Sequence, residues 1–121
     1  MAIKNILLVD DSSTDRHVIG EMLARGGYNV VAVESAEEAL ARVAEVKPDL
    51  VLMDVVMPGQ NGFQATRELS RNEATRSIPI IICTSKRQET DRVWGMRQGA
   101  RDYIVKPIVE ADLLARIQAL G

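Results

Sequence analysis

The sequence has one cysteine, Cys83, and one histidine, His17. A single cysteine excludes an internal disulfide and any cysteine-rich zinc site. Set inside an apolar run, Cys83 reads as a small buried hydrophobe rather than a reactive thiol. His17 falls opposite the apolar stripe of its helix, with nothing to pair it for catalysis. No charge of one sign dominates: 15 basic against 17 acidic residues leave a net charge of −2. There is thus no global basic field to draw nucleic acid or an anionic membrane. No apolar run approaches the roughly 20 residues of a membrane span, and the first breaks at Asp10 and Asp11. The opening Met1-Ala2-Ile3-Lys4-Asn5 lacks the pattern of a signal peptide, so a cytoplasmic protein without membrane insertion is expected. A glycine-rich loop of Walker type is also missing, which argues against a nucleotide as phosphoryl donor. Neither a linker nor a low-complexity segment interrupts the 121 residues, which suffice for one domain with a proper core.

What is present is an alternation of short apolar runs and helical patterns. Ile6-Leu7-Leu8-Val9 is a first strand. Ser12, with Asp15 three residues on, reads as a capping-box variant opening a helix whose stripe is Val18, Ile19, Met22 and Leu23. Gly26-Gly27 stops it. Residues 28–33 read as a second strand. Ser35 and Glu38 open a second helix, with Ala39, Leu40, Val43 and Val46 inward, closed at Lys47-Pro48. Leu50 to Met53 is a third strand, followed by a Pro58-Gly59 turn and a helix from about Asn61 carrying Phe63, Thr66 and Leu69. Ile78 to Cys83 reads as a fourth strand, with a helix from about Gln88 ending at Gly99. Residues 102–105 are a fifth strand, and Leu113, Leu114, Ile117 and Leu120 mark a last helix. Such alternation predicts right-handed βαβ units and an α/β fold with a doubly wound parallel sheet. Runs one, three and four are almost wholly apolar, as strands covered on both faces must be. Runs two and five carry polar interruptions and suit the edges. The expected order is therefore 2-1-3-4-5, with a topological switch point between strands one and three.

Ligands in such sheets bind beyond the carboxyl ends of the strands at that switch. Asp10 and Asp11 follow strand one there, and Asp54 follows strand three. Any one of them alone would serve as a helix cap or the start of a loop. Together they repel: like charges about 4 Å apart cost on the order of 4 kcal/mol per pair at an effective dielectric of about 20. A hard divalent cation with oxygen ligands offsets this, and Mg²⁺ favours a few carboxylates plus water and phosphate oxygens. Thr84 ends strand four and Lys106 ends strand five, adding a hydroxyl donor and an ammonium. Acids, a metal, a hydroxyl and a cation are the equipment of phosphoryl transfer, where catalysis is mostly positioning and charge neutralisation. A carboxylate nucleophile would give an acyl phosphate.

At these residues the sequence resembles the CheY-like receiver domains of bacterial two-component response regulators. The stretches LLVDDS, VLMDVVMPGQNG, PIIICTS and GARDYIVKP carry the resemblance, in that order and spacing. It implies a flavodoxin-like (βα)5 receiver over residues 1–121 with no output domain. It implies Asp54 as phospho-acceptor, with Mg²⁺ (or Mn²⁺) held by Asp10, Asp11, Asp54 and the backbone carbonyl of Val56. Thr84 and Lys106 would contact the phosphoryl group. Tyr103 resembles a switch aromatic that turns inward as Thr84 moves, and Lys106-Pro107 would be a cis peptide. The segments DVVMPGQNGFQATREL and ETDRVWGMRQGARDYIVKP look most like stand-alone PilH-type regulators of twitching motility, relatives of the chemotaxis regulator CheY.

Those features imply a donor, a sensor histidine kinase or phosphotransfer protein, and a downstream protein target. With no output domain expected, activation would present a binding surface. Helix four offers Arg87, Arg92, Trp94 and Arg97, with Arg101 just beyond, and Arg and Trp are typical interface anchors. Val56 and Lys86 depart from the polar pattern of many receivers, and an apolar Val56 is expected to leave the hydrolytic water poorly oriented. Other readings are an interaction module or phosphate sink, or an aspartyl phosphatase. The last wants a second acid just past the nucleophile, where Val55-Val56 supplies none, so no enzyme acting on external substrates is expected.

Overall fold

The computed structural model describes residues 2–57 and 61–121. Among them strands and helices alternate throughout: β1 (Asn5–Val9), α1 (Ser13–Arg25), β2 (Asn29–Val33), α2 (Ala36–Val46), β3 (Leu50–Met53), α3 (Gly62–Arg71), β4 (Ile80–Thr84), α4 (Glu89–Arg97), β5 (Asp102–Val105) and α5 (Glu110–Leu120). The strands form one parallel sheet in the order β2-β1-β3-β4-β5, as the polar content of runs two and five predicts. The Pro58-Gly59 turn expected from the sequence lies outside the described residues.

The period-two alternation of a strand divides each apolar run between two cores. Leu7, Val9, Val51, Met53 and Ile80 pack with Ala36, Ala39, Val43, Ala65 and Leu69 of α2 and α3. Ile6, Leu8, Leu50, Leu52, Ile81 and Cys83 pack on the other face with Ile19, Leu23, Leu113 and Ile117 of α1 and α5. A smaller cluster of Val55, Ile82, Ala100 and Tyr103, with Phe63 against it, lies apart from these two. Burial pushes the Cys83 thiol up to about 12, so it stays protonated and apolar in behaviour, as its run predicts.

Three sequence readings change. Val18 is 43% exposed; the inward face of α1 is carried by Ile19 and Leu23, with Met22 partly buried. β4 begins at Ile80 rather than Ile78, because the Ile78 amide is spent on the Thr75 carbonyl in the preceding turn. Ser12 caps α1 by accepting the Asp15 amide at 3.2 Å, but the Asp15 carboxylate does not return to the cap. The Ser12 amide donates instead to Asp10 Oδ1, and the Asp15 carboxylate is drawn to Lys106, where a full charge outbids a neutral amide.

Candidate functional site

Sheet register assembles the site. Val9 pairs with Met53 across β1 and β3, so the next residues, Asp10 and Asp54, leave adjacent strands side by side. Met53 pairs with Ile82, and Thr84 with Val105. Thr84 therefore stands one step further out than Asp54, and Lys106 follows at the end of β5. Asp10, Asp54 and Thr84 are buried, at 1%, 5% and 0% exposure; among the described residues the other buried polar side chains are two threonines, Thr66 and Thr75. Gly62, the first residue of α3, packs directly on this edge: a Cβ there would fall on the Asp54 carbonyl oxygen and lie 2.8 Å from Val55 Cα.

Each buried acid is held by an Asx-type turn at its strand end. Asp10 Oδ1 accepts the Ser12 amide at 3.0 Å, and Asp54 Oδ1 accepts the Val56 amide at 3.0 Å. Their other oxygens turn toward Lys106, whose Nζ donates to Asp10 Oδ2 at 2.7 Å and Asp54 Oδ2 at 3.1 Å. A third bond runs from Nζ to Asp15 Oδ2 at 2.7 Å. The Lys106–Pro107 peptide is cis, and the Lys106 amide continues the ladder to the Thr84 carbonyl at 2.8 Å.

Burial of Lys106 works against its charge, but the hydrogen bonds it donates to Asp10 and Asp15 and the charge of Asp54 prevail and raise its pKa above that of an ordinary lysine. Burial also raises Asp10, against the downward pull of Lys106 and the Ser12 amide. An ion pair alone would lower Asp10. One ammonium divided among three carboxylates is too little to offset the desolvation of so buried a side chain.

Carboxylate oxygens of Asp10, Asp11 and Asp54 lie within 4.8 Å of one another. Asp11 is exposed, so the cluster is closed on the sheet side and open to solvent on the other. Hard oxygen donors at this spacing, with one open side, fit Mg²⁺, which keeps several waters and takes few protein carboxylates. Val56 is 45% exposed at the rim.

Thr84 Oγ1 accepts the Lys86 amide at 3.4 Å. Tyr103, the aromatic expected to move with it, is already packed inward, 6% exposed. Its hydroxyl donates to the Lys86 carbonyl at 2.8 Å. Gly95 allows this packing, since a Cβ there would lie 3.2 Å from the Tyr103 ring and 2.8 Å from Ile82 Cδ1. Arg87, Trp94 and Arg97 are exposed, and Trp94 lines two grooves, one of about 230 Å³ with Phe63, Gln64, Arg67 and Gln98 and one of about 290 Å³ with Glu89, Thr90, Val93 and Arg97. Arg92 pairs with Glu89 at 3.4 Å. His17 is exposed.

Sequence reasoning missed two residues that build the site. Asp15 passed as a helix cap, although the first turn of α1 must sit over the carboxyl edge of β1. Arg16 donates to the Asp10 carbonyl at 2.8 Å and reaches Glu34 at 3.4 Å; nothing in its spacing marks it.

Residues 6–118 match the response regulator receiver domain. The chain is 52% identical to protein PilH of Pseudomonas aeruginosa over 95% of both chains. Its fold matches the Vibrio cholerae chemotaxis protein CheY4 with a TM-score of 0.91 at 28% identity, covering 99% of this chain and 100% of that one. It also matches the receiver domain of a Pseudomonas aeruginosa sensor histidine kinase, solved with a magnesium ion coordinated in its active-site cleft, with a TM-score of 0.88 at 35% identity over 98% and 97% of the two chains. The chain belongs to the response regulator receiver family of two-component signalling.

Proposed function

We propose that Asp54 is the phospho-acceptor of a stand-alone regulator in a motility- or chemotaxis-type pathway. The donor is the phosphohistidine of a sensor kinase or phosphotransfer protein. An Asp54 carboxylate oxygen attacks phosphorus, the P–N bond breaks as the new P–O bond forms, and the histidine leaves with the bonding pair and takes up a proton. The product is an acyl phosphate on Asp54. Asp10, Asp11 and Asp54, with the Val56 carbonyl, would hold Mg²⁺ or Mn²⁺, which when bound neutralises charge on the phosphoryl oxygens. Lys106 neutralises further and donates to a phosphoryl oxygen, while the Thr84 hydroxyl donates to another. Withdrawal of Thr84 toward the phosphoryl group favours the inward Tyr103, coupling Asp54 to the surface of α4, where Arg87, Trp94 and Arg97 would meet a downstream protein. The protein modifies itself rather than external substrates, and works in the cytoplasm.

The observation that carries this reading is the convergence of Asp10, Asp54 and Lys106 within 3.1 Å contacts at the switch point. Likeness to PilH supports the motility setting. Intact mass after incubation with acetyl phosphate, with and without Mg²⁺, tests it. One added phosphoryl group in the wild type with Mg²⁺, and none in Asp54→Asn, is expected. No gain in the wild type would move the protein to a phosphorylation-independent interaction module.

A further inference from the structure

An ammonium has three N–H bonds, and in this protein all three of Lys106's are taken by carboxylates: Asp10 and Asp15 at 2.7 Å and Asp54 at 3.1 Å. Two of these acceptors belong to the acid cluster. Asp15 does not; it lies outside the Asp10–Asp11–Asp54 group, and its side chain is 40% exposed. A firmly anchored first turn of α1 presents it to Lys106. The Asp15 amide is fixed on the Ser12 hydroxyl, and the next residue, Arg16, is fixed on the Asp10 carbonyl.

We propose that Asp15 is a positioning residue that restrains phosphorylation of Asp54 by competing for Lys106. A phosphoryl oxygen gains the lysine as a donor when Asp15 gives up its bond. Asp15 makes and breaks no covalent bond; the exchange is of one hydrogen-bond acceptor for another. Charge acts in the same direction, because Asp15 adds a negative charge one ammonium away from the place an anionic phosphoryl group must enter. With Asp15 changed to Asn, Lys106 keeps Asp10 and Asp54, and its third N–H meets a neutral amide oxygen in place of a carboxylate. Release of Asp15 also leaves an unpaired carboxylate on the first turn of α1, so the charge presented there differs between the two states. The inference rests on the reading of Asp54 as phospho-acceptor and adds to it a residue that sets the strength of the response.

Wild type, Asp15→Asn and Asp15→Glu are compared in two measurements. Beryllium fluoride binding with Mg²⁺, followed by fluorine NMR, reports on the phosphoryl-like state. Lys106 acetylation by dilute acetic anhydride in metal-free protein, read by peptide mass spectrometry, reports on the anchor itself. Asp15→Asn should bind beryllium fluoride about three- to fivefold more tightly, the range of one partly exposed ion pair, and its Lys106 should be acetylated faster. Asp15→Glu should keep wild-type values in both. Ser12 remains the helix cap in either variant, so both should fold. Equal or weaker beryllium fluoride binding by Asp15→Asn overturns the restraint, as does unchanged Lys106 reactivity. A wild type that binds no beryllium fluoride and gains no phosphoryl group overturns the phospho-acceptor reading, and the restraint falls with it.

Discussion

Asp10 and Asp54, neighbours across the β1–β3 ladder, are tied down in the same way. In each, Oδ1 accepts the amide two residues on, and Oδ2 accepts the Lys106 ammonium. The lysine leans toward Asp10, at 2.7 Å against 3.1 Å for Asp54. Asp54 is thus the less tightly held of the two buried acids, which suits the nucleophilic role proposed for it.

Asp11 completes the acid cluster from the solvent side. Asp11→Asn removes one of three mutually repelling charges, so the metal-free protein should gain about 0.5 kcal/mol. Added Mg²⁺ should raise the wild-type melting temperature by mass action and have little effect on the variant. Thermal melts with Mg²⁺ and with a chelator check this. An equal Mg²⁺ shift in both proteins would remove Asp11 from the cation site.

Val56 stands at the rim, 45% exposed, with no side-chain polar atom to orient a water. Val56→Asn should shorten the lifetime of the phosphorylated protein, on the order of a few-fold, the worth of about one hydrogen bond. Loss of the phosphoryl mass over time measures it, and a variant that decays no faster than wild type would count against the idea.

Gly62 has no room for a side chain against the Asp54 carbonyl and Val55 Cα. Both obstacles are backbone, so Gly62→Ala must displace either α3 or the end of β3. A loss of about 2 kcal/mol is expected, within the range for overpacking, together with slower phosphorylation. Denaturant unfolding and intact mass together separate this from a simple helix-propensity gain, which would stabilise.

Tyr103→Phe removes the bond to the Lys86 carbonyl and should cost about 1 kcal/mol at neutral pH. Burial first, then the charges of Asp91 and Asp54, push the Tyr103 phenol from 10.0 up to about 12. A raised folded-state pKa means that the hydroxyl's contribution is whole below the unfolded value and is lost as pH rises from about 10 through about 12. The stability gap between wild type and variant should narrow over that window. Urea unfolding across alkaline pH checks it; a constant gap would mean that Tyr103 ionises as freely as in the unfolded chain.

Asp49 accepts the backbone amides of Lys4 and Asn5, each at 2.9 Å, fastening the entry of β3 to the start of β1. The Asn5 and Lys4 amides hold its carboxyl below the usual carboxylate range. A lowered pKa contributes stability that is whole above the unfolded value and is lost as pH falls through the folded one. Asp49→Asn should cost about 1 kcal/mol at neutral pH and show a flatter acid limb. Acid titrations of stability that coincide for both proteins would show the carboxylate to be idle.

Apolar patterning along the chain was enough to set the elements and their order. A strand buried on both faces has to be apolar at every position, and the polar residues of runs two and five could be tolerated only at edges. From that order alone, the ends of β1 and β3 become neighbours, and Asp10, Asp11 and Asp54 share a crevice. Thr84 and Lys106 were legible for the same reason, as the residues closing β4 and β5. Local spacing could not say where a long or charged side chain would go once several partners competed for it. Asp15 has the spacing of a cap, but the cap bond is local and neutral, whereas Lys106 arrives from 91 residues away with a full charge. Arg16 on the Asp10 carbonyl depends likewise on how α1 settles on the sheet. Gly62 and Gly95 are single small residues in sequence, and only the packed structure reveals the backbone and ring that they leave room for.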